Sequence, residues 1–174
     1  VTSGGGGGDE MLIRVPGKIT AFDRQPDVLA TWDEPDAAEI YSSPAVAAAG
    51  GDLLHLGVGS GGETLPGRLW WLSYDRQAAT FGVVGSVDSQ CSDGGFMASP
   101  TFIDLDDDGA VELVGVSTCG QVVAMDADGS EQWRVDANES VGTANPVGFD
   151  ADGDGDMDVL AAFSNFNPSL SSPD

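Results

Sequence analysis

The apolar positions of this chain fall in short runs, not in long stripes. Three runs end on Asp: Lys18 to Asp23, Leu69 to Asp75 and Gln121 to Asp126, with the terminal Asp residues 52 and 51 apart. A second recurring unit is a small polar residue plus Pro leading into an apolar run. It occurs at Ser43-Pro44-Ala45-Val46, Ser99-Pro100-Thr101-Phe102 and Asn145-Pro146-Val147-Gly148. A third apolar run covers Val111 to Val116 and recurs at Met157 to Ala162, with Leu53 to Val58 in the same place earlier on. All are roughly 5–7 residues long, rich in Val, Leu and aromatics, and bounded by Gly, Asp and Pro. This pattern predicts short strands joined by turns. No helical period is sustained, and Asp33 to Ile40 is the one candidate for a helical turn.

The runs group into repeats. The clearest has four strands, near 98–104, 111–117, 121–126 and 131–136. Four antiparallel strands per repeat of about 40–50 residues is the pattern of a β-propeller blade, so the expected class is all-β. The expected organisation is a partial blade at 11–35, blades at 41–87 and 98–137, and a partial blade at 142–165. Flanking these are a Gly-rich linker or processed start at 1–10 and a Ser/Pro-rich tail at 166–174, both of which read as pieces of a longer protein. The total, about three and a quarter blades, falls short of the roughly four that closed propellers need. Other chain segments, other copies or open stacking would have to make up the difference.

Two segments between these runs stand out chemically. Asp104-Leu105-Asp106-Asp107-Asp108-Gly109-Ala110-Val111-Glu112 carries acids at positions 1, 3, 5 and 9 and Gly at 6. Asp150-Ala151-Asp152-Gly153-Asp154-Gly155-Asp156-Met157-Asp158 repeats that spacing. Alternate carboxylates around a Gly turn can aim several oxygens at one centre, as a hard cation such as Ca²⁺ requires. A plain turn needs only one or two acids. An EF-hand is not expected, because position 12 is Gly115 or Ala161 where a bidentate Glu is needed.

Charge narrows the partners. The chain has 29 acidic and 6 basic residues, a formal net charge of -23. Nucleic acid and anionic membrane surfaces are poor partners for such a field, and no apolar run is long enough to span a membrane. Two Ca²⁺ would leave about -19, so metal binding alone does not explain the acidity. A high-salt setting and a Ca²⁺-rich extracellular medium both remain open.

At this point the residues resemble a known family. Phe102-Ile103-Asp104 through Gly109 with Val111 to Val114, and Phe149-Asp150 through Leu160, are similar to the FG-GAP (integrin α-type, VCBS-like) propeller repeat. The resemblance covers roughly residues 40–165. It implies a Ca²⁺ loop between the first and second strands of a blade. Carried over, the ligands are Asp104, Asp106, Asp108 and Glu112 in one loop and Asp150, Asp152, Asp154 and Asp158 in the other. Backbone carbonyls of Ala110 and Asp156 would join them. Val46 to Asp52 keeps a single acid, so no metal is expected there. Val123 to Trp133 also resembles the strand-turn-strand of quinoprotein propellers, with no sign of a quinone site.

Cys91 precedes the first strand of the 98–137 repeat, and Cys119 sits at the turn between its second and third. In an up-and-down sheet these points share one end, so a disulfide is expected there, opposite the acidic loops; two unlinked thiols are the alternative. Trp32 and Trp133 are expected to pack between sheets. Trp70 and Trp71 are adjacent, so they face opposite sides of a strand, and one is expected to be exposed as a candidate glycan or protein contact. His55 is read as structural. Gly57 to Gly62 lacks the Lys-Ser/Thr of a phosphate loop and reads as a flexible inter-strand loop. Asn138-Glu139-Ser140 fits a glycosylation sequon. One His, no reactive-Cys signature and no G-x-S-x-G elbow leave no catalytic constellation, so a non-enzyme is expected.

These readings converge on an extracellular or cell-surface Ca²⁺-binding segment with a structural or adhesive role. Its partners would be protein, carbohydrate or further copies of itself. The alternatives are a non-catalytic propeller domain of a secreted polysaccharide-acting enzyme and a self-assembling subunit.

Overall fold

The computed structural model of the chain describes residues 16–137 and 142–164. The Gly-rich start, the run Met11 to Val15, the sequon at Asn138 and the Ser/Pro tail lie outside the described residues. Among those described there are strands and turns and no helix.

The strands form two hairpins and two four-stranded sheets, all antiparallel. The first hairpin pairs β1 (Lys18–Phe22) with β2 (Val28–Asp33). The first full sheet runs β3 (Ala45–Gly50), β4 (Leu53–Gly59), β5 (Arg68–Asp75), β6 (Thr80–Asp88) in simple up-and-down order. The second does the same with β7 (Thr101–Ile103), β8 (Glu112–Val116), β9 (Gln121–Met125) and β10 (Glu131–Asp136). The last hairpin pairs β11 (Val147–Phe149) with β12 (Asp158–Leu160).

Strand alternation turns these sheets into a stack with three apolar interfaces. On one face of β5, Trp70 and Leu72 join Ile19, Val58 and Trp32 against the first hairpin. On its other face, Leu69 and Trp71 pack with Leu113, Val123, Met125 and Phe96 toward the second sheet. The far face of that sheet, with Val114, Val116, Val122 and Ala124, meets Val159, Ala161 and Phe163 of the last hairpin region.

This corrects one expectation. Neither Trp70 nor Trp71 is exposed, at 4% and 0% of their surface, because β5 is a central strand covered on both sides. Trp32 stacks edge-on against Trp70 at 5.3 Å, and Trp133 packs beside the third interface. His55 is half-buried; its Nδ1 accepts the Trp71 Nε1 hydrogen at 2.9 Å, and burial holds its pKa below the ordinary value.

Two further expectations change. Gly57 and Gly59 lie inside β4, not in a flexible loop. A Cβ at Gly57 would meet Leu113 of the neighbouring sheet, and one at Gly59 would meet Phe96, so glycine here permits close packing. Asp33 to Ile40 is not helical. The Ala37 amide donates to the Glu34 carbonyl at 3.2 Å, and Ala37 adopts φ +56°, which a right-handed helix cannot contain. The Glu34 carboxylate takes the Ala38 amide at 2.7 Å and the Ser60 hydroxyl at 3.4 Å, tying this turn to the first full sheet.

The Cys91–Cys119 disulfide is present, with Cα atoms 6.6 Å apart. It joins the β6–β7 connection to the β8–β9 turn. That is the end of the second sheet opposite the β7–β8 loop.

Candidate metal centre

Both acidic segments leave and re-enter their hairpins in the same register. Ile103 faces Glu112 across β7–β8, and Phe149 faces Asp158 across β11–β12. Each loop therefore spans from position 1 to position 8 between a paired residue and position 9.

Their backbones are also alike. Position 4 is left-handed in both, at Asp107 (φ +56°) and Gly153 (φ +82°), and so is position 6, at Gly109 (φ +87°) and Gly155 (φ +105°). Asp is among the few non-glycine residues that tolerate this region. The position-1 carboxylate accepts the position-6 amide: Asp104 from Gly109 at 3.1 Å, Asp150 from Gly155 at 3.2 Å. The position-5 carboxylate accepts the position-7 amide: Asp108 from Ala110 at 2.7 Å, Asp154 from Asp156 at 3.0 Å. The position-9 carboxylate accepts the position-2 amide: Glu112 from Leu105 at 2.7 Å, Asp158 from Ala151 at 2.9 Å. The same three side-chain-to-backbone bonds thus recur at both sites.

The result is convergence. Oxygens of Asp104, Asp106 and Asp108 lie within 4.8 Å of one another, as do oxygens of Asp150, Asp152 and Asp158. Both groups could hold a metal ion. Three carboxylate oxygens this close repel one another unless a cation neutralises them. Asp104 supplies a further sign: its Oδ1 is buried without a hydrogen-bond partner. A buried acceptor left unsatisfied costs about 1–3 kcal/mol, which a coordinated cation would remove. The donor set is all oxygen, the chemistry that Ca²⁺ and Mg²⁺ share.

The loops differ in which carboxylates converge. Glu112 is almost fully buried and stands apart from the first group. Its pKa is raised, first by desolvation; the Leu105 hydrogen bond opposes this, and the charges of Asp106, Asp108 and Asp104 add to it. Asp154 likewise stands apart from the second group, where Asp158 converges instead. The longer Glu side chain reaches into the interior where the shorter Asp158 stays exposed at the loop. The two centres also touch, because the Met157 amide of one loop donates to the Leu105 carbonyl of the other at 3.3 Å.

The β3–β4 hairpin lacks this arrangement, as its single acid predicts. It closes on Gly50 and Gly51, both left-handed; the Arg76 guanidinium donates to the Gly51 carbonyl at 2.5 Å and to the Asp52 carbonyl at 3.4 Å, and the Arg76 backbone amide donates to the Asp52 carbonyl at 2.9 Å.

Sequence reading missed the purpose of the small polar-Pro units. The Ser43 amide donates to Ser99 Oγ at 2.9 Å, and the Ser99 amide donates to Asn145 Oδ1 at 2.9 Å. Each unit hands its N–H to the side chain of the next, across the inner strands β3, β7 and β11, which lie side by side. The signal was the recurring residue type, an acceptor just before Pro. No protein-family model matches the chain, and no curated protein matches it.

Proposed function

We propose that this chain is a Ca²⁺-stiffened β-propeller segment that works outside the cell as a structural or adhesive module. The observation that carries the reading is the duplicate geometry of the acidic loops: two separate sequences, one backbone path, and three inward carboxylate oxygens at each. Ca²⁺ is favoured over Mg²⁺ because the loops offer carboxylates and carbonyls without strict octahedral order. In this reading Asp104, Asp106, Asp108 and Glu112 hold one ion, and Asp150, Asp152, Asp154 and Asp158 the other. The Ala110 and Asp156 carbonyls complete the sets. Glu112 and Asp154 would turn inward on binding.

The propeller reading is supported by two consecutive four-stranded up-and-down sheets, stacked face to face with their first strands adjacent. A disulfide is compatible with an oxidising, extracellular setting. No helix among the described residues is long and apolar enough to cross a membrane. The role of the ions is structural, and the ligand of the module is protein or carbohydrate.

Calorimetric titration with CaCl₂ in high NaCl tests the metal assignment. Two ions per chain are expected, with loss of one in Asp104→Asn and of the other in Asp150→Asn. Uptake of fewer than one ion per chain refutes it. The reading as a domain of a polysaccharide-acting enzyme has no particular observation in its favour. Self-assembly does: Val147, Phe149 and Leu160 are exposed together at the end of the stack.

A further inference from the structure

The two ends of the stack are complementary halves. At one end stand β1 and β2, which pack against the first full sheet as its neighbour's outer pair would. They meet Trp70, Leu72 and Leu56 but leave Val46, on β3, 59% exposed. Val46 faces Leu56 across β3–β4, so it belongs to the same face, whose inner part has no covering strands among the described residues. At the other end stand β11 and β12, an inner pair. One face, with Gly148 and Val159, packs on the second sheet. The opposite face presents Val147 (52% exposed), Leu160 (59%) and Phe149 (42%), with Val147 and Leu160 directly paired.

The relay of polar-Pro units has matching loose ends. Ser99 both accepts and donates. Ser43 only donates, and its hydroxyl is exposed without a partner among the described residues; Asn145 only accepts, and its amide is likewise open.

We propose that the partner of each end is the opposite end of a second copy of this chain. In that contact β12 of one copy pairs along β1 of the other, giving a sheet in the order β11-β12-β1-β2, the same meander as the two complete sheets. The Val147, Phe149 and Leu160 face covers Val46 and its neighbours. The Asn145 amide donates to the Ser43 hydroxyl of the other copy, continuing the relay. The contact is head-to-tail, so it either closes into a ring or runs on as a filament. The described residues of each copy supply two whole sheets and two halves, equivalent to three blades. Closed propellers hold about 4–8 blades, so two copies, giving six, is the ring that fits. This count rests on the propeller reading; the composite sheet does not.

The strong negative charge opposes association, so the test is made where it is screened. Sedimentation velocity of the full chain in millimolar Ca²⁺ and 1 M NaCl is expected to show twice the monomer mass at micromolar concentration. Val46→Asp and Leu160→Asp alter exposed residues. Each is expected to raise the dimer Kd at least tenfold while circular dichroism stays that of the folded chain. A Ser43→Cys and Asn145→Cys double variant, oxidised, should give a cross-linked dimer that reductant releases. A monomer up to about 1 mM overturns the proposal, as does a dimer that neither Asp variant weakens and that forms no such cross-link. Filaments would overturn the closed pair. Ca²⁺ uptake is measured by calorimetry on the same sample, so dimerisation without uptake would count against the metal reading alone, and uptake without dimerisation against this proposal alone.

Discussion

The β3–β4 hairpin and the β7–β8 loop join the first two strands of consecutive sheets, yet they close in opposite ways. The first turns on Gly50 and Gly51 and ties its carbonyls to a resident guanidinium, Arg76. The second makes an eight-residue excursion that packs Asp104, Asp106 and Asp108 together with no basic residue among them. One turn carries its own cation covalently; the other, like the β11–β12 loop, could take one from solution. On the proposed function, the stability of two parts of one molecule answers to different variables.

The comparison is broken most forcefully by removing the acids. The double variant Asp104→Asn, Asp150→Asn is expected to lose the Ca²⁺-dependent part of stability. For two sites, each at a hundred times its Kd, that is roughly 5 kcal/mol. Thermal unfolding across a Ca²⁺ series measures it. A variant that still gains stability with Ca²⁺ as the parent does would remove these residues from the site.

Next in size is the disulfide, at the opposite end of the second sheet. Replacing Cys91 and Cys119 with Ala frees a 28-residue separation and is expected to cost about 3–4 kcal/mol in denaturant unfolding. Ca²⁺ affinity should stay within about twofold. A large fall in affinity would mean that the two ends are not independent.

The glycine turn offers a smaller test in the other direction. Gly50→Ala meets no neighbouring atom, so only the left-handed backbone resists it, at about 1–2 kcal/mol. That loss should be the same with and without Ca²⁺. A loss that grows on chelation would tie this hairpin to the metal loops.

The smallest expected effect is a pH dependence from His55. Its folded pKa lies below the unfolded value near 6.5, so the unfolded chain binds the proton more readily. Stability from this residue is complete above about 6.5 and is lost as pH falls through that value toward the lower folded pKa. His55→Gln should flatten the stability profile of the Ca²⁺-loaded protein just below about pH 6.5. An unchanged slope would assign it to the carboxylates.

The parts of this account that were legible in the sequence are local. Acids at alternate positions around Gly109 and Gly155 are a statement about one loop, and the loop geometry follows from nine residues. The Cys pair was legible because strand order fixes which turns share an end. The parts that were not legible depend on neighbours far along the chain. Trp70 and Trp71 are both buried because different sheets cover the two faces of β5, and nothing in the strand itself distinguishes that from a half-exposed one. Gly57 and Gly59 read as loop glycines until Leu113 and Phe96 are seen against them. The Ser43, Ser99 and Asn145 relay joins residues 56 and 46 positions apart. Glu34 looked like part of a helical turn, but its carboxylate competes for the Ala38 amide.

The most direct test of the central claim is thermal unfolding in millimolar Ca²⁺ and after chelation, each at low and high NaCl. The account predicts a large drop in Tm on chelation that NaCl does not restore, since screening cannot replace coordination by Asp104 and Asp150. Full rescue by NaCl alone would mean that the acidity is only a charge to be screened, and that the two loops are turns.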